Sequence, residues 1–169
     1  MATNYSILAD KILVDTPQTI VDPQDYSGQF RSYFTYDLLG TDDDSGDIKL
    51  MMPLPTNFVP RELIVWCDGA ATTGAGDIGL YSLTRAGGSV VLTAVDIDLF
   101  CSALAFTSAI SGVDELAEGG FVTIDERAKR LWQIAGASAD PGGEYWVAIT
   151  FTADVDASTK LSLEFRGVV

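Results

Sequence analysis

The sequence predicts an all-β protein: an antiparallel β-sandwich, jelly-roll-like, with one or two short helices. Three observations lead there. First, two runs near the C-terminal end, residues 144–152 and 159–166, alternate in character. Tyr145, Val147, Ile149 and Phe151 share one side of the first run, and Leu161, Leu163 and Phe165 share one side of the second. A period of two belongs to a strand with one buried face. Second, turn-forming residues punctuate the apolar runs, as in Asp140-Pro141-Gly142-Gly143. Third, about eight short strands can be assigned, with no repeat or heptad, and that pattern in one compact chain reads as a sandwich or jelly roll.

Taken in order, residues 1–28 read as an extended arm. Ile7, Leu8, Ile12, Leu13 and Val14 lie near its start, and Pro17 and Pro23 break any long helix. Thr19-Ile20-Val21 fits one short strand. Residues 29–169 are expected to form a single sandwich domain. Residues 29–39, with Phe30, Tyr33, Phe34 and Tyr36, favour a strand. Residues 40–47 are a loop, and 48–52 a strand ended by Pro53 and Pro55. Residues 61–67 form a continuous apolar run, predicting a strand buried on both faces. A turn of small residues over 68–76 leads to a second strand at 77–83, expected to pair with the first. Arg85-Ala86-Gly87-Gly88 turns the chain again.

Ile97, Phe100, Cys101 and Leu104 fall at i, i+3, i+4 and i+7, and Asp96 suits a cap. A short helix is expected from about Asp96, while 90–93 fits a strand. Residues 112–120 read as an acidic loop and 121–124 as a short strand. Residues 125–135 form an amphipathic helix with Ala128, Leu131, Trp132 and Ala135 on one stripe. Gly136 follows as the residue that ends it in the left-handed region. Lys129 and Arg130 lie near its C-terminal end, favourable against the helix dipole. The two final runs are expected to form a hairpin that closes the sandwich, with the segment Ala153-Asp154-Val155-Asp156-Ala157-Ser158 as its connection.

Composition bounds function. The chain has 169 residues, 47% of them apolar, which is enough for one real core. It carries 24 acidic and 10 basic residues, a net charge of −14. A nucleic-acid surface needs clustered Lys and Arg to displace counterions, so no nucleic-acid partner is expected. There is no histidine, which removes Ser-His-Asp and Cys-His catalysis and the commonest zinc ligand. Cys67 and Cys101 sit in apolar surroundings without CxxC spacing and read as buried free thiols. No basic-then-apolar leader opens the sequence, so no secretory signal is expected. No apolar run approaches the ~18 residues of a membrane span.

Several motifs resemble known sites. Gly74-Ala75-Gly76-Asp77-Ile78-Gly79 matches GxGxxG, but a dinucleotide site needs a helix to open there and these residues continue as a strand. Gly69-Ala70-Ala71-Thr72-Thr73-Gly74 has P-loop glycine spacing, with Ala75 where lysine is required. Asp42-Asp43-Asp44-Ser45-Gly46-Asp47 fits no EF-hand register and reads as a solvated acidic turn, with calcium left open. Asp77, Asp96 and Asp98 are better explained as cap or turn acids than as paired glycosidase carboxylates. Trp66, Trp132 and Trp146 are the candidates for a sugar-binding row, but each sits in a pattern that predicts core. Arg127, Lys129 and Arg130 form the densest basic group, expected to be a solvated helix face. No catalytic, cofactor-binding or metal-ligating residue is therefore assigned, and no cofactor.

Two stretches carry a resemblance. One is Gly76-Asp77-Ile78-Gly79-Leu80-Tyr81, then Gly87-Gly88 and Val90-Val91, then Val95 to Ala103. The other runs from Lys129-Arg130-Leu131-Trp132-Gln133-Ile134-Ala135-Gly136 through Asp140-Pro141-Gly142-Gly143-Glu144-Tyr145 to the last two strands. In this order, over residues 54–168, the chain resembles virion structural proteins of tailed bacteriophages, in particular small β-rich products of the head region. The shared motifs are strand, turn and cap motifs, so no active site is carried over. The resemblance implies a non-enzymatic decoration (cement) protein on the capsid exterior, made in the host cytoplasm, with the major capsid protein as partner. It also implies a homo-oligomer, with a trimer as the expectation, and no contact with nucleic acid or membrane. Alternatives are another virion component, in the tail or at the head–tail junction, or a carbohydrate-binding sandwich for host adhesion. An enzyme ranks last.

Overall fold

The computed structural model describes residues 29–86, 89–118, 122–123 and 126–169. The expected arm, residues 1–28, lies outside them. Eight strands occur among the described residues: β1 (Phe30–Leu39), β2 (Ile48–Pro55), β3 (Val59–Cys67), β4 (Ala75–Ala86), β5 (Ser89–Ala105), β6 (Ile110–Asp114), β7 (Glu144–Ala153) and β8 (Thr159–Val168). Between β6 and β7 lie helix α1 (Glu115–Glu118), a 3-10 turn (Glu126–Ala128) and helix α2 (Leu131–Ile134). The strands form two four-stranded antiparallel sheets, ordered β1-β8-β3-β6 and β2-β7-β4-β5. The first strand thus pairs with the last, the second with the seventh, the third with the sixth and the fourth with the fifth. Only the β4–β5 connection stays within one sheet. Two antiparallel sheets facing each other across one core are the all-β sandwich that the sequence predicts.

Alternation builds the core. Leu63, Val65 and Cys67 of β3, Val147, Ile149 and Phe151 of β7, and Leu161, Leu163 and Phe165 of β8 are all buried between the sheets. Each such side chain contributes roughly 1.5–3 kcal/mol on burial. Rings meet across the interior: Tyr33 of β1 lies edge-on to Phe58 at 5.4 Å, and Phe106 to Phe151 at 6.1 Å.

The pairing differs from expectation in two places, for one reason. β7 and β8 keep their predicted alternation but are not a hairpin; they lie in opposite sheets. Likewise β3 and β4 do not pair: β3 lies between β8 and β6, and β4 between β7 and β5. A strand with one apolar face is equally satisfied by a neighbour in its own sheet or by an element packed onto it. Periodicity does not distinguish the two.

Local corrections have separate causes. β2 runs through both prolines to Pro55, which is tolerated because β2 is an edge strand whose outer side needs no N–H donor. β3 is not buried on both faces: Leu63 and Val65 point inward, while Ile64 and Trp66 are only half-buried. The helix expected from Asp96 is absent, and β5 continues through that region to Ala105. The helical spacing arises from an irregular strand. Its register with β4 shifts at three points between Gly76 and Tyr81, so Leu99, Phe100 and Cys101 are buried in succession.

Residues 110–118 form β6 and α1 rather than an acidic loop. Of the strand expected at 121–124, Val122 and Thr123 are described, and neither is in a strand. The helix expected over 125–135 is broken after the 3-10 turn. The N–H groups of Leu131 and Trp132 donate to the carbonyls of Phe58 (2.7 Å) and Thr56 (3.0 Å) instead of to a preceding turn. α2 starts afresh there, and Gly136 (φ +75°) ends it as predicted.

Candidate functional site

Two regions collect the chemistry: the loops at one end of the sandwich, and the outer face of the sheet that contains β1. The β1–β2, β3–β4, β5–β6 and β7–β8 connections gather at the same end, because Leu39 pairs with Thr159, Cys67 with Ile110 and Ala75 with both Ala105 and Ala153. Aspartates knit these loops together. Asp156 accepts hydrogen bonds from the backbone N–H groups of Thr72 (2.8 Å) and Thr73 (3.0 Å) and from the Thr72 hydroxyl. The Thr72 hydroxyl and these amides hold its carboxyl below the usual range. Asp68 accepts from the Thr159 hydroxyl (2.6 Å) and the Lys160 N–H (3.0 Å), with the same direction of shift. Asp154 accepts from the N–H of Ser45 at 2.8 Å.

The acidic turn at 42–47 is part of this knitting. Asp43 is buried, accepts from the Gly40 N–H (2.9 Å) and is paired with the Lys49 ammonium at 2.7 Å. Asp47 accepts from the Asp44 N–H at 3.3 Å. Among the described residues, no group of three or more His, Cys, Asp or Glu side chains is arranged to hold a metal ion. The turn is built by internal partners, although it does not sit wholly in solvent as expected.

The glycine motif opens β4, so no helix N-terminus faces a phosphate. Its glycines serve packing. A Cβ on Gly79 would lie 2.2 Å from the Asp96 carbonyl oxygen, and one on Gly76 would lie 2.7 Å from Ile149 Cγ2. Asp77 is buried and clamps a bulge in β5, accepting from the Ala103 N–H (2.7 Å) and the Ser102 hydroxyl (3.3 Å). Ala103 sits at φ +53°, a strained region for a residue with a Cβ, and that bond holds it there. Asp96 and Asp98 are brought together: the Asp96 carboxyl beside Asp98 pushes the Asp98 carboxyl above its usual range. Cys67 and Cys101 are free and buried, as expected, and burial, followed by the neighbouring Glu115 carboxylate, pushes the Cys101 thiol up to about 12.

Of the three tryptophans, only Trp132 packs on the core, half-buried, and its Nε1 has no partner among the described residues. Trp66 and Trp146 lie on outer faces, contrary to the core expectation, because Cys67 and Tyr145 and Val147 take the inward positions. Arg127 and Arg130 are half-buried and Lys129 is exposed. Arg130 lies close enough to Asp140 to help hold that carboxyl down, after the Thr56 hydroxyl and the Gly142 N–H.

The sequence reading missed the outer face of β1. Phe30, Phe34, Tyr36 and Leu38 are 54–72% exposed there. Tyr36, Ser162 and Trp66 are in register across β1, β8 and β3. Beside them, Arg166 bridges Glu164 (2.8 Å) and Glu62 (3.3 Å), and the Ser32 hydroxyl donates to Glu164 at 2.6 Å. The signal was in the alternation of residues 30–38, which places the aromatic set opposite Arg31, Thr35 and Asp37.

No protein-family model matches the chain, and no curated protein matches it. Among solved structures there is a match. The chain is similar in fold to a chain of the capsid of Ralstonia phage GP4. The TM-score is 0.55 at 18% sequence identity, and the match covers 94% of this chain and 93% of that one. At that identity the likeness is one of fold. It runs nearly end to end on both sides, so the two chains are of almost equal length. No helix among the described residues is long and apolar enough to cross a membrane.

Proposed function

We propose that this chain is a structural component of a tailed-phage virion: a non-enzymatic decoration protein that binds the outer surface of the head and stabilises the shell. The observation that carries the reading is the end-to-end likeness in fold to a capsid chain. It agrees with the resemblance seen in residues 54–168. A decoration protein needs a rigid body and contact surfaces rather than reactive groups. The wrapped sandwich supplies the body, and its loops are cross-tied by Asp68, Asp154 and Asp156. Its partner is the major capsid protein, and a homotrimer is the expected assembly, as closed symmetry suits a site where shell subunits meet.

The test is to add the purified chain to undecorated capsids of its own phage and image them by electron microscopy. Density on the outer surface supports decoration. Density confined to the tail or the head–tail junction, or none, removes it.

One observation favours a second reading. Exposed Tyr36 and half-buried Trp66 flank the small Ser162 on an outer sheet face, and aromatic rings on such a face suit the flat faces of sugars. Dose-dependent binding on a glycan array, lost in Tyr36→Ala, would support a carbohydrate-binding module. No binding would dismiss it.

A further inference from the structure

A lysine points into the rim of the sandwich. Lys49 of β2 is in register with Ile149, and Asp37 of β1 with Leu161; both Ile149 and Leu161 are fully buried. Residues directly opposite in an antiparallel pair share a face, so Lys49 and Asp37 turn toward the space between the sheets. The Lys49 Nζ lies 2.7 Å from Asp43 Oδ2 and 3.6 Å from Asp37 Oδ2. The Asp43 side chain is 8% exposed and that of Lys49 23%. The Gly40 N–H donates to the same Asp43 Oδ2 at 2.9 Å. An amine, a buried carboxyl, a backbone donor on one carboxyl oxygen and a second carboxylate beside the amine therefore meet at one point. These are the parts of an intramolecular acyl transfer: nucleophile, electrophile, oxyanion donor and proton carrier. A salt bridge needs only the first two.

We propose that Lys49 and Asp43 condense to an isopeptide bond, which makes this corner a site of self-modification. The Asp37 carboxylate takes a proton from the Lys49 ammonium and delivers it to Asp43 Oδ1. The freed Nζ attacks Asp43 Cγ, and the Gly40 N–H stabilises the negative charge that develops on Oδ2. Asp37 carries a second proton from the nitrogen to the Oδ1 hydroxyl. Collapse then completes the Nζ–Cγ amide and breaks the Cγ–Oδ1 bond, and Oδ1 leaves as water. Ammonium and carboxylate become an amide and one water, so atoms and charge balance without a co-reactant. Two features favour the product. The groups are already in contact, and such positioning is worth effective molarities of roughly 10⁵–10⁸ M. The amide also replaces two charges that the apolar interior solvates poorly. The bond fastens β2 to the turn at 40–47, which joins the edge strands of the two sheets.

Mass spectrometry of the purified full chain tests this, and the wild type itself carries the test. It should weigh about 18 Da less than its sequence, the mass of one water. Trypsin places the loss. An unmodified chain is cut after Arg31, Lys49 and Arg61, but an acylated Lys49 is no longer a trypsin site. The modified chain should therefore give one peptide, residues 32–61, lighter by a water, in place of residues 32–49 and 50–61. Lys49→Arg should show the full sequence mass, and Asp37→Asn should be recovered mainly at full mass. A wild type at full mass overturns the proposal, and so does a water loss that maps to another peptide or persists in Lys49→Arg. An undiminished loss in Asp37→Asn overturns the proton-carrier step. No capsid is present in the assay, so its outcome is independent of the virion reading.

Discussion

Phe100 of β5 and Phe165 of β8 meet edge to face across the two sheets, with ring centroids 4.8 Å apart and planes at 66°. Both are fully buried. This contact ties strands 65 residues apart in the chain and depends on β5 being a strand. Phe165→Ala should lower the unfolding free energy by about 3–5 kcal/mol. Phe165→Leu should cost about 1.5 kcal/mol, as most of the volume is kept. Urea unfolding measures both, and a loss under about 1 kcal/mol for the alanine variant would contradict an interlocked core.

Glycine at 79 is required by space and glycine at 136 by backbone angle. A Cβ on Gly79 would meet the backbone of Asp96 and Ile97 at 2.2 and 2.3 Å, whereas nothing lies within 4 Å of one on Gly136 (φ +75°). Gly136→Ala should cost about 1–2 kcal/mol, the ordinary left-handed penalty. Gly79→Ala should cost on the order of 3 kcal/mol, since two strands must separate. The order of the two melting temperatures checks this.

Asp156 makes stability fall in acid. Its folded-state carboxyl is held low by Thr72 and Thr73, so its contribution is present above the unfolded value, about 3.9, and is lost as pH falls through the lower folded value. Asp68, held low by the Thr159 hydroxyl, acts in the same direction. The wild-type urea midpoint should therefore drop between pH 5 and pH 2, and Asp156→Asn should show a smaller drop from a lower start. An equal drop would remove Asp156 as a contributor.

Cys101 should be inert while the chain is folded. Its thiol is pushed up to about 12, first by burial and then by Glu115, 3.6 Å away. A chromogenic disulfide reagent at pH 8 should find no reactive thiol in the native chain and both thiols in guanidinium. Glu115→Gln should leave the native result unchanged, because burial is the larger cause.

The tryptophans should separate by position. Trp132→Ala should cost about 3 kcal/mol, as it packs on the core, and Trp66→Ala under about 1 kcal/mol, as it lies on an outer face. Trp132→Phe should recover most of that loss, since the indole N–H it removes has no described partner. Equal losses at Trp66 and Trp132 would mean that the face carrying Trp66 is covered.

Much of the architecture was legible in advance. The alternation in β7 and β8 named Tyr145, Val147, Ile149, Phe151, Leu161, Leu163 and Phe165 as one-sided, and all seven are buried. Gly136 marked the end of a helix for a local steric reason that needs no tertiary context. The site was less legible. The acids of the loops looked like turn residues, and only their convergence shows Asp156 bound to Thr72 and Asp68 to Thr159. The outer face of β1 was present in the spacing of Phe30, Phe34, Tyr36 and Leu38, but which side faces the core is not a property of one strand.

By itself the sequence determined the fold class, most strand positions and the inward set on β7 and β8. These follow from side-chain period, turn chemistry and the cost of burying polar groups, all read within a few residues. Tertiary structure alone decided that β7 and β8 part into opposite sheets, that β5 is a bulged strand and that β1 shows its aromatic side outward. The reason is physical: an apolar face must be covered, but the free energy of covering it does not depend on how far along the chain the covering element lies.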